Sequence, residues 1–527
     1  MKRLLLLYFF VVPLFIQAQQ VKPAPDRKAG EGEGPFTRMV IRGANLIDGT
    51  GAPAYGPVDI VIEGNKIKEI VLVGTPKVPI NPADRPAKGT KEIDAHGAYV
   101  LPGFVNIHVH IGEAPKAPEA EYPYKLWMGH GITTVRSVGF SGDVSWVESE
   151  KKRSAENKIV APRIIDFQVP GSGADWKGGP VTTPAKAREW VAWASTKGVE
   201  GIKITNMDPD VMEAAIDESH KRKMGSVAHL SQTMVSQVNA RDAVALGLDN
   251  LTHFYGLFES LYKNEDIQHF PRDYEYNDEQ DRFSQVAYQW DKIYPRGSKQ
   301  WNDLIQFFLE HKTILDPTMT AYLAGRDVMR ARTADWIPKY VLPSLHDFYE
   351  PNRLNHGSYF YNWTIWEELA WKNFFRVWMS FLNDYKNAGG RVTVSDDASF
   401  IYNLYGIGVI EEMELLQEAG FHPLEVIRGA TFHAAQAIFE PKGKPIEFGI
   451  VRPNMLADLV IIDENPVENL KVLYGTGFPR LNDETGKVER VGGVKYTIKD
   501  GIVYDAKQLL RDVEAMVKKQ QDERAQK

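Results

Sequence analysis

Apolar positions along the chain fall into two regimes. Between 37 and 100 they alternate or run in short blocks, as in Met39-Val-Ile-Arg-Gly-Ala, Val58-Asp-Ile-Val-Ile-Glu and Lys66-Ile-Lys-Glu-Ile-Val. Turn glycines at 49, 51 and 64 separate the blocks, which predicts a small β unit. From 105 onward, short apolar runs alternate with stretches of helical period. The runs lie at 105–110, 131–136, 163–168, 201–205, 225–229, 250–254, 313–318 and 390–397, read as strands one to eight. Helices are expected at 184–197, 208–223, 235–246, 301–311, 373–387, 408–419 and 423–439. Strand alternating with helix at the length of one βα unit argues for a parallel sheet. This many units in one chain favours a (β/α)8 barrel over an open sheet. β character returns at 458–463 and 494–504, and a charged helical tail ends the chain.

This rhythm divides the chain into a signal peptide at 1–18, a flexible leader at 19–36, a first β-sandwich segment at 37–100, the barrel at 101–440, a second sandwich segment at 441–505 and the tail at 506–527. The barrel carries two insertions. One, at 258–300, is polar and irregular. The other, at 320–372, is crowded with aromatics and lies on the strand-end side, where it either forms a lid or lines a pocket for an aromatic or apolar group, or packs as core or as a subunit contact.

Composition narrows the class. The chain has 527 residues, 43% hydrophobic, with a net charge of -7 of mixed sign, which gives no sign of nucleic-acid binding. It has no cysteine, so disulfides and thiolate metal sites are excluded and any metal must be held by nitrogen and oxygen. Lys2 and Arg3 precede an apolar run at 4–16 that is short for a membrane span, with a cleavage-like Ala18 after it. The expectation is an exported protein, periplasmic or secreted, with no membrane attachment once the signal is cleaved. An uncleaved anchor is the alternative.

The candidate chemistry sits at the strand ends. His108 and His110 are two apart on strand one, so they share a face about 7 Å apart, with Ile107 and Val109 turned away. Lys203 lies on strand four between Ile202 and Ile204 and faces inward. His229 ends strand five, His253 nears the end of strand six, and Asp396 and Asp397 end strand eight. In a parallel barrel these ends open on one face. A lone histidine there is ordinarily a core residue; four, with a carboxylate, read as metal ligands. A buried lysine is either salt-bridged or carbamylated to an anion that bridges two cations. No cluster of Arg or Lys near the site announces an acidic substrate.

The chain resembles the amidohydrolase superfamily, in the branch of imidazolonepropionases and metal-dependent prolidase-type dipeptidases. The matching pieces, in order, are Leu-Ile-Asp-Gly-Thr-Gly (46–51), Leu-Pro-Gly-Phe-Val-Asn-Ile-His-Val-His (101–110), Gly-Ile-Thr-Thr-Val-Arg (131–136), Gly-Ile-Lys-Ile (201–204), Val-Ala-His (227–229), Leu-Thr-His (251–253), Ser-Asp-Asp-Ala (395–398) and Ala-Asp-Leu-Val-Ile-Ile-Asp (457–463). The resemblance implies a (β/α)8 barrel with a β-sandwich built jointly from the flanking segments. It also implies two divalent ions, usually zinc. His108, His110 and Asp397 would hold one and His229 and His253 the other, with carbamylated Lys203 and a hydroxide between them. Aligning the neighbouring alanines puts the ligand at Asp397, with Asp396 where Thr or Ser is usual. Asn106 stands where Asp is usual, and Ser137 follows Arg136 where Asp is common.

The implied function is hydrolysis of an amide or peptide-like C–N bond in a small molecule or short peptide, with Asp397 as the proton carrier. A homo-oligomer is compatible with this reading. The alternatives are a mononuclear deaminase or a cyclic-amide or lactone hydrolase on the same scaffold, and, further off, an exported binding protein with a degenerate site.

Overall fold

The computed structural model describes residues 21–139, 143–263, 270–352, 355 and 360–526; the signal segment lies outside them. Five strands come first: Met39–Leu46 (β1), Tyr55–Glu63 (β2), Lys66–Leu72 (β3), Lys91–Asp94 (β4) and Tyr99–Pro102 (β5). Eight barrel strands follow: Phe104–Val109 (β6), Ile132–Val138 (β7), Arg163–Gln168 (β8), Gly201–Ile204 (β9), Gly225–Ala228 (β10), Asn250–Thr252 (β11), Ile314–Asp316 (β12) and Arg391–Val392 (β13). Then come Leu459–Ile462 (β14), Phe478–Asn482 (β15), Lys487–Val491 (β16), Val494–Lys499 (β17) and Ile502–Asp505 (β18).

Strands β6 to β13 lie side by side in chain order, all parallel, as a curled eight-stranded sheet flanked by helices. This is the (β/α)8 arrangement that the alternation predicts. Its seam, between the end of the chain through β13 and β6, is closed by few bonds. Asp397 N donates to His108 O (3.1 Å), Ile107 N to Ser395 Oγ (3.2 Å) and Asn106 Nδ2 to Asp396 Oδ1 (2.6 Å).

β6 departs from simple alternation. Asn106 pairs with Val135 and Val109 with Ser137, three residues against two, which is a bulge. Ile107 therefore joins the cluster of Val105, Ile165, Phe167, Val227 and Ile314, while Val109 joins the cluster packed against the helices. The expectation that Ile107 and Val109 share a face does not hold, because the extra residue turns the strand between them.

The flanking strands form one accessory domain, built from both sides of the barrel as expected. Its strands are bonded into a single eight-stranded sheet in the order β18-β17-β14-β5-β1-β2-β3, with β4 also on β1. Gly43, at φ 75°, bends β1 where its ladder is broken. Its first half pairs with β4 and its last two residues with β5. The sheet encloses its own core, including Ile41, Ile60, Val100, Leu459 and Ile498. β15 and β16 form a separate hairpin.

Residues 21–36, expected to be flexible, lie along the surface in fixed contacts. Val21 and Ala24 are buried, Arg153 donates to Ala24 O, and Glu33 bridges to Val503. The first insertion also holds more structure than its polarity suggests. Asp278 caps a helix, Glu279–Ala287, whose Phe283, Val286 and Ala287 are buried at helical spacing among charged residues. In the second, a Thr364–Glu367 capping box starts a helix at Ile365 that runs to Asn387, eight residues earlier than its apolar period indicates. Conversely, the helix expected at 235–246 is only Ala240–Ala245, started by an Asn239–Asp242 capping box. Trp371 and Trp378 of the long helix are wholly buried, each ring contributing about 2 kcal/mol of apolar burial. The described aromatics of the insertion divide: Tyr322, Trp336, Tyr340, Tyr349 and Trp371 are buried, whereas Trp366 is exposed. No helix among the described residues is long and apolar enough to cross a membrane.

Candidate metal centre

Each sequence-derived site residue lies at the C-terminal end of its barrel strand. His108 and His110 come from the bulged end of β6, Lys203 from β9, His229 from just past β10, His253 from just past β11, and Asp397 from the seam beyond β13. His108, His110, Lys203, His229 and Asp397 line one cavity of about 400 Å³. His253 packs against them, its ring centroid 4.5 Å from that of His229 and 5.1 Å from that of His108.

The ligand atoms of His108, His110 and Asp397 lie within 4.8 Å of one another. Asp397 Oδ1 is 3.2 Å from His110 Nε2 and 3.7 Å from His108 Nε2, and Oδ2 is 3.6 Å from His253 Nε2. One carboxylate therefore stands between both histidine groups. Asp396 does not face them. Its carboxylate turns into the seam, accepting from Asn106 Nδ2, Trp127 Nε1 (3.3 Å) and Gly406 N (3.0 Å).

The Nδ1 atoms of His110 and His253 are hydrogen-bonded from outside, which orients their Nε2 toward the centre. His110 Nδ1 donates to Gly139 O (2.9 Å), His253 Nδ1 meets Thr318 Oγ1 (2.5 Å), and His108 Nδ1 points at Asp316 Oδ2 (3.6 Å). Asp316 and Thr318 both belong to the stretch read only as strand seven; a carboxylate at a strand end was the available signal. The backbone is strained here. His253, Thr318 and Asp397 have φ of 64°, 46° and 44°, in the left-handed region that non-glycine residues avoid.

Burial dominates the electrostatics. It pushes His108 down to about 4, with Lys203 adding to the effect, and lowers His229 and His253 well below the ordinary histidine range. For His110 burial is outweighed by Asp397 and the pKa rises. Burial would raise Asp397, but His108, His110 and His253 hold it well below the carboxylate range. Neutral His108, His229 and His253 beside an ionised Asp397 are in the protonation states that ligate metals, whereas His110 has to give up its proton to join them. Burial also lowers Lys203 to about 7. Among the described residues Lys203 has no ion pair; its partner is His108 Nε2 at 3.2 Å.

The donor set fits a divalent cation. It is all nitrogen and oxygen, and His253 Nε2 is buried with no hydrogen-bond partner.

The cavity wall holds further residues, of which Tyr322 comes from the aromatic insertion and the others were not foreseen. Tyr255, Tyr276, Phe283, Tyr322 and Phe400 make it aromatic. Beside Lys203, two further basic residues line it, Lys116 and Arg282, where the sequence had announced no cluster of Arg or Lys. Lys116 is paired with Glu113 (2.7 Å), whose carboxylate also accepts from Ser399 Oγ (2.6 Å). Arg282 comes from the helix of the first insertion.

No family model matches the chain. An adenine deaminase of Bacillus pumilus is 26% identical over 160 residues, 28% of this chain and 27% of that protein. One of Methanoculleus marisnigri is 52% identical over 144 residues, 26% of each. A dihydroorotase of Staphylococcus aureus is 39% identical over 83 residues, 15% of this chain and 16% of that protein. The aligned stretches span between 16% and 27% of the length of these curated relatives. Among solved structures, a Xaa-Pro dipeptidase with bound methionine in the active site superposes with a TM-score of 0.56 at 18% identity, covering 89% of this chain and 100% of that one. A bottromycin amidohydrolase superposes with a TM-score of 0.60 at 17% identity, covering 92% and 90%. Aspergillus niger ochratoxinase superposes at 0.56 and 13% identity, covering 89% and 96%. The chain has the fold of these structures.

Proposed function

We propose that this protein is a metal-dependent hydrolase of the amidohydrolase type that cleaves an amide or peptide-like C–N bond in a small molecule or short peptide. The observation that carries it is the convergence of His108, His110 and Asp397 within 4.8 Å on the wall of an aromatic-lined cavity. Dipeptidase and amidohydrolase structures of the same fold support the reaction class. The signal-like pattern of Lys2, Arg3 and the apolar run at 4–16 supports an activity in the periplasm or the medium.

His108, His110 and Asp397 would hold one divalent ion, zinc by preference for this donor set, and His229 and His253 a second. Bound ions supply Lewis acidity toward the substrate carbonyl and acidify water near neutral pH. Lys203 in its amine form occupies the lone pair of His108 Nε2 that a cation needs. Attack of Nζ on carbon dioxide, with loss of an N–H proton, turns it into a carbamate that offers oxygen ligands instead. A lysine lowered to about 7 by burial has the free amine that this step requires. Asp397, placed between the two histidine groups, takes the proton of the attacking water and returns it to the leaving amine. The aromatic wall excludes water and receives apolar substituents.

A mononuclear deaminase or a cyclic-amide or lactone hydrolase is the second reading. It is favoured by the fact that three ligands, not five, draw together within 4.8 Å, and by the short matches to adenine deaminases and dihydroorotase. The test is metal analysis and a screen of N-acyl amino acids, dipeptides and cyclic amides after loading with zinc and bicarbonate. Two ions per chain and amide turnover are expected. One tightly held ion with unmodified Lys203 selects the second reading. Less than one ion per chain after zinc loading overturns both and leaves a binding protein.

A further inference from the structure

We infer that Arg282, supplied by the first insertion, is the specificity-determining residue of the site and selects substrates that carry an anionic group such as a carboxylate. This deepens the hydrolase reading above and rests on it for the identity of the cavity.

Arg282 lines the same cavity as His108, Lys203, His229 and Asp397. Its side chain is largely covered, with 14% exposure. It is held in place on three sides. Nε donates to Gln232 Oε1 (2.8 Å), and Gln232 Nε2 returns a bond to Arg282 O (3.1 Å). The guanidinium lies 4.7 Å from the Tyr276 ring centroid and 5.0 Å from that of Phe283. Nη1 also forms an ion pair with Glu279 Oε1, at a long 3.3 Å. A guanidinium has five N–H donors in a planar fork. Those not engaged by Gln232 and Glu279 have no recorded partner among the described residues. A planar fork fixed by its neighbours and desolvated by two rings is pre-organised for a bidentate carboxylate. The cavity's other surface cation does not compete for that role. Lys116 is engaged by Glu113, by Ser399 O (3.3 Å) and by the Phe348 ring at 3.7 Å. An amide whose acyl group or side chain is apolar and which also bears a free carboxylate satisfies both the aromatic wall and Arg282.

The test uses the full zinc-loaded chain and two probes that differ only in charge, N-acetyl-L-phenylalanine and its carboxamide. Binding by calorimetry and turnover are both measured, with wild type, Arg282→Met and Arg282→Lys. Wild type is expected to bind the acid at least about tenfold more tightly than the carboxamide. Arg282→Met should abolish that preference, with the loss falling on the acid, and Arg282→Lys should keep part of it. Loss of packing alone would weaken both probes together, so a parallel loss overturns the inference. Equal binding of the two probes by wild type, or binding of neither, also overturns it. A binding preference without turnover of either probe supports Arg282 and counts against the hydrolase reading, so the two fail separately.

Discussion

Asn106 and Asp396 are hydrogen-bonded across the seam that closes the barrel, Nδ2 to Oδ1 at 2.6 Å, although 290 positions separate them. Asn106 Oδ1 in turn accepts from the backbone N of Asp396 (3.4 Å) and of His108 (3.3 Å). Two of the three positions at which the chain departs from the pattern it resembles are therefore partners. The carboxylate usual on one side of the seam has moved to the other. Asn106→Asp would face two carboxyls in a buried site. Burial already raises Asp396 to about 6, above its unfolded value, so its contribution is complete at low pH and is lost as pH rises through 6. The variant should lose about 2–3 kcal/mol at pH 8 and less at pH 5. Adding Asp396→Asn should recover at least half of the loss. Urea unfolding at the two pH values checks this; a deficit independent of pH, or no recovery in the double variant, counts against it.

Asp397→Asn should lower turnover by about 10²–10⁴-fold while the chain stays folded. Asn tolerates the left-handed backbone at φ 44° and keeps the N–H that bonds His108 O. It lacks the carboxylate that accepts and returns a proton. Bound zinc should fall by much less than activity, which metal analysis beside single-turnover rates will show. Wild-type rates in this variant would remove Asp397 from proton transfer.

Thr318→Val removes the hydroxyl that meets His253 Nδ1 at 2.5 Å and keeps the β-branched shape. His253 then loses the group that sets its ring, and chelator competition should report about 10–100-fold weaker metal binding. Thr318→Ser retains the hydroxyl and should stay near wild type. If both variants hold metal equally well, the contact does not orient the ring.

The barrel and the six strand-end residues were legible because both follow local rules. Apolar runs of strand length recur at βα spacing, and a polar residue at a strand end faces the mouth whatever its partners. What could not be read depends on contacts between distant segments. The bulge in β6 needs its register against β7. The Asn106–Asp396 bond needs the barrel to close. Arg282 reaches the cavity only because Phe283 and Val286 bury its helix, a period hidden among Asp281, Gln285 and other polar residues. Thr318 and Asp316 stood in plain sight on strand seven, but a single sequence does not say which histidine each one faces.

His130 gives the fold a built-in acid sensitivity away from the metal centre. It is wholly buried, its Nδ1 donates to Leu126 O (2.8 Å), and its Nε2 has no partner. Burial lowers its pKa to about 4, against about 6.5 for an unfolded histidine. The unfolded chain therefore binds the extra proton between these values, and stability must fall as pH drops from 6.5 toward 4. Above pH 6.5 the contribution is complete. The shift caps the effect at about 3 kcal/mol. Asn at this position can still donate to Leu126 O but does not titrate. His130→Asn should be somewhat less stable than wild type at pH 8, through lost packing, and the gap should close or reverse on acidification to pH 4.5. Parallel stability curves for the two chains across that range would mean that His130 charges without cost, and that its burial is relieved before the proton arrives.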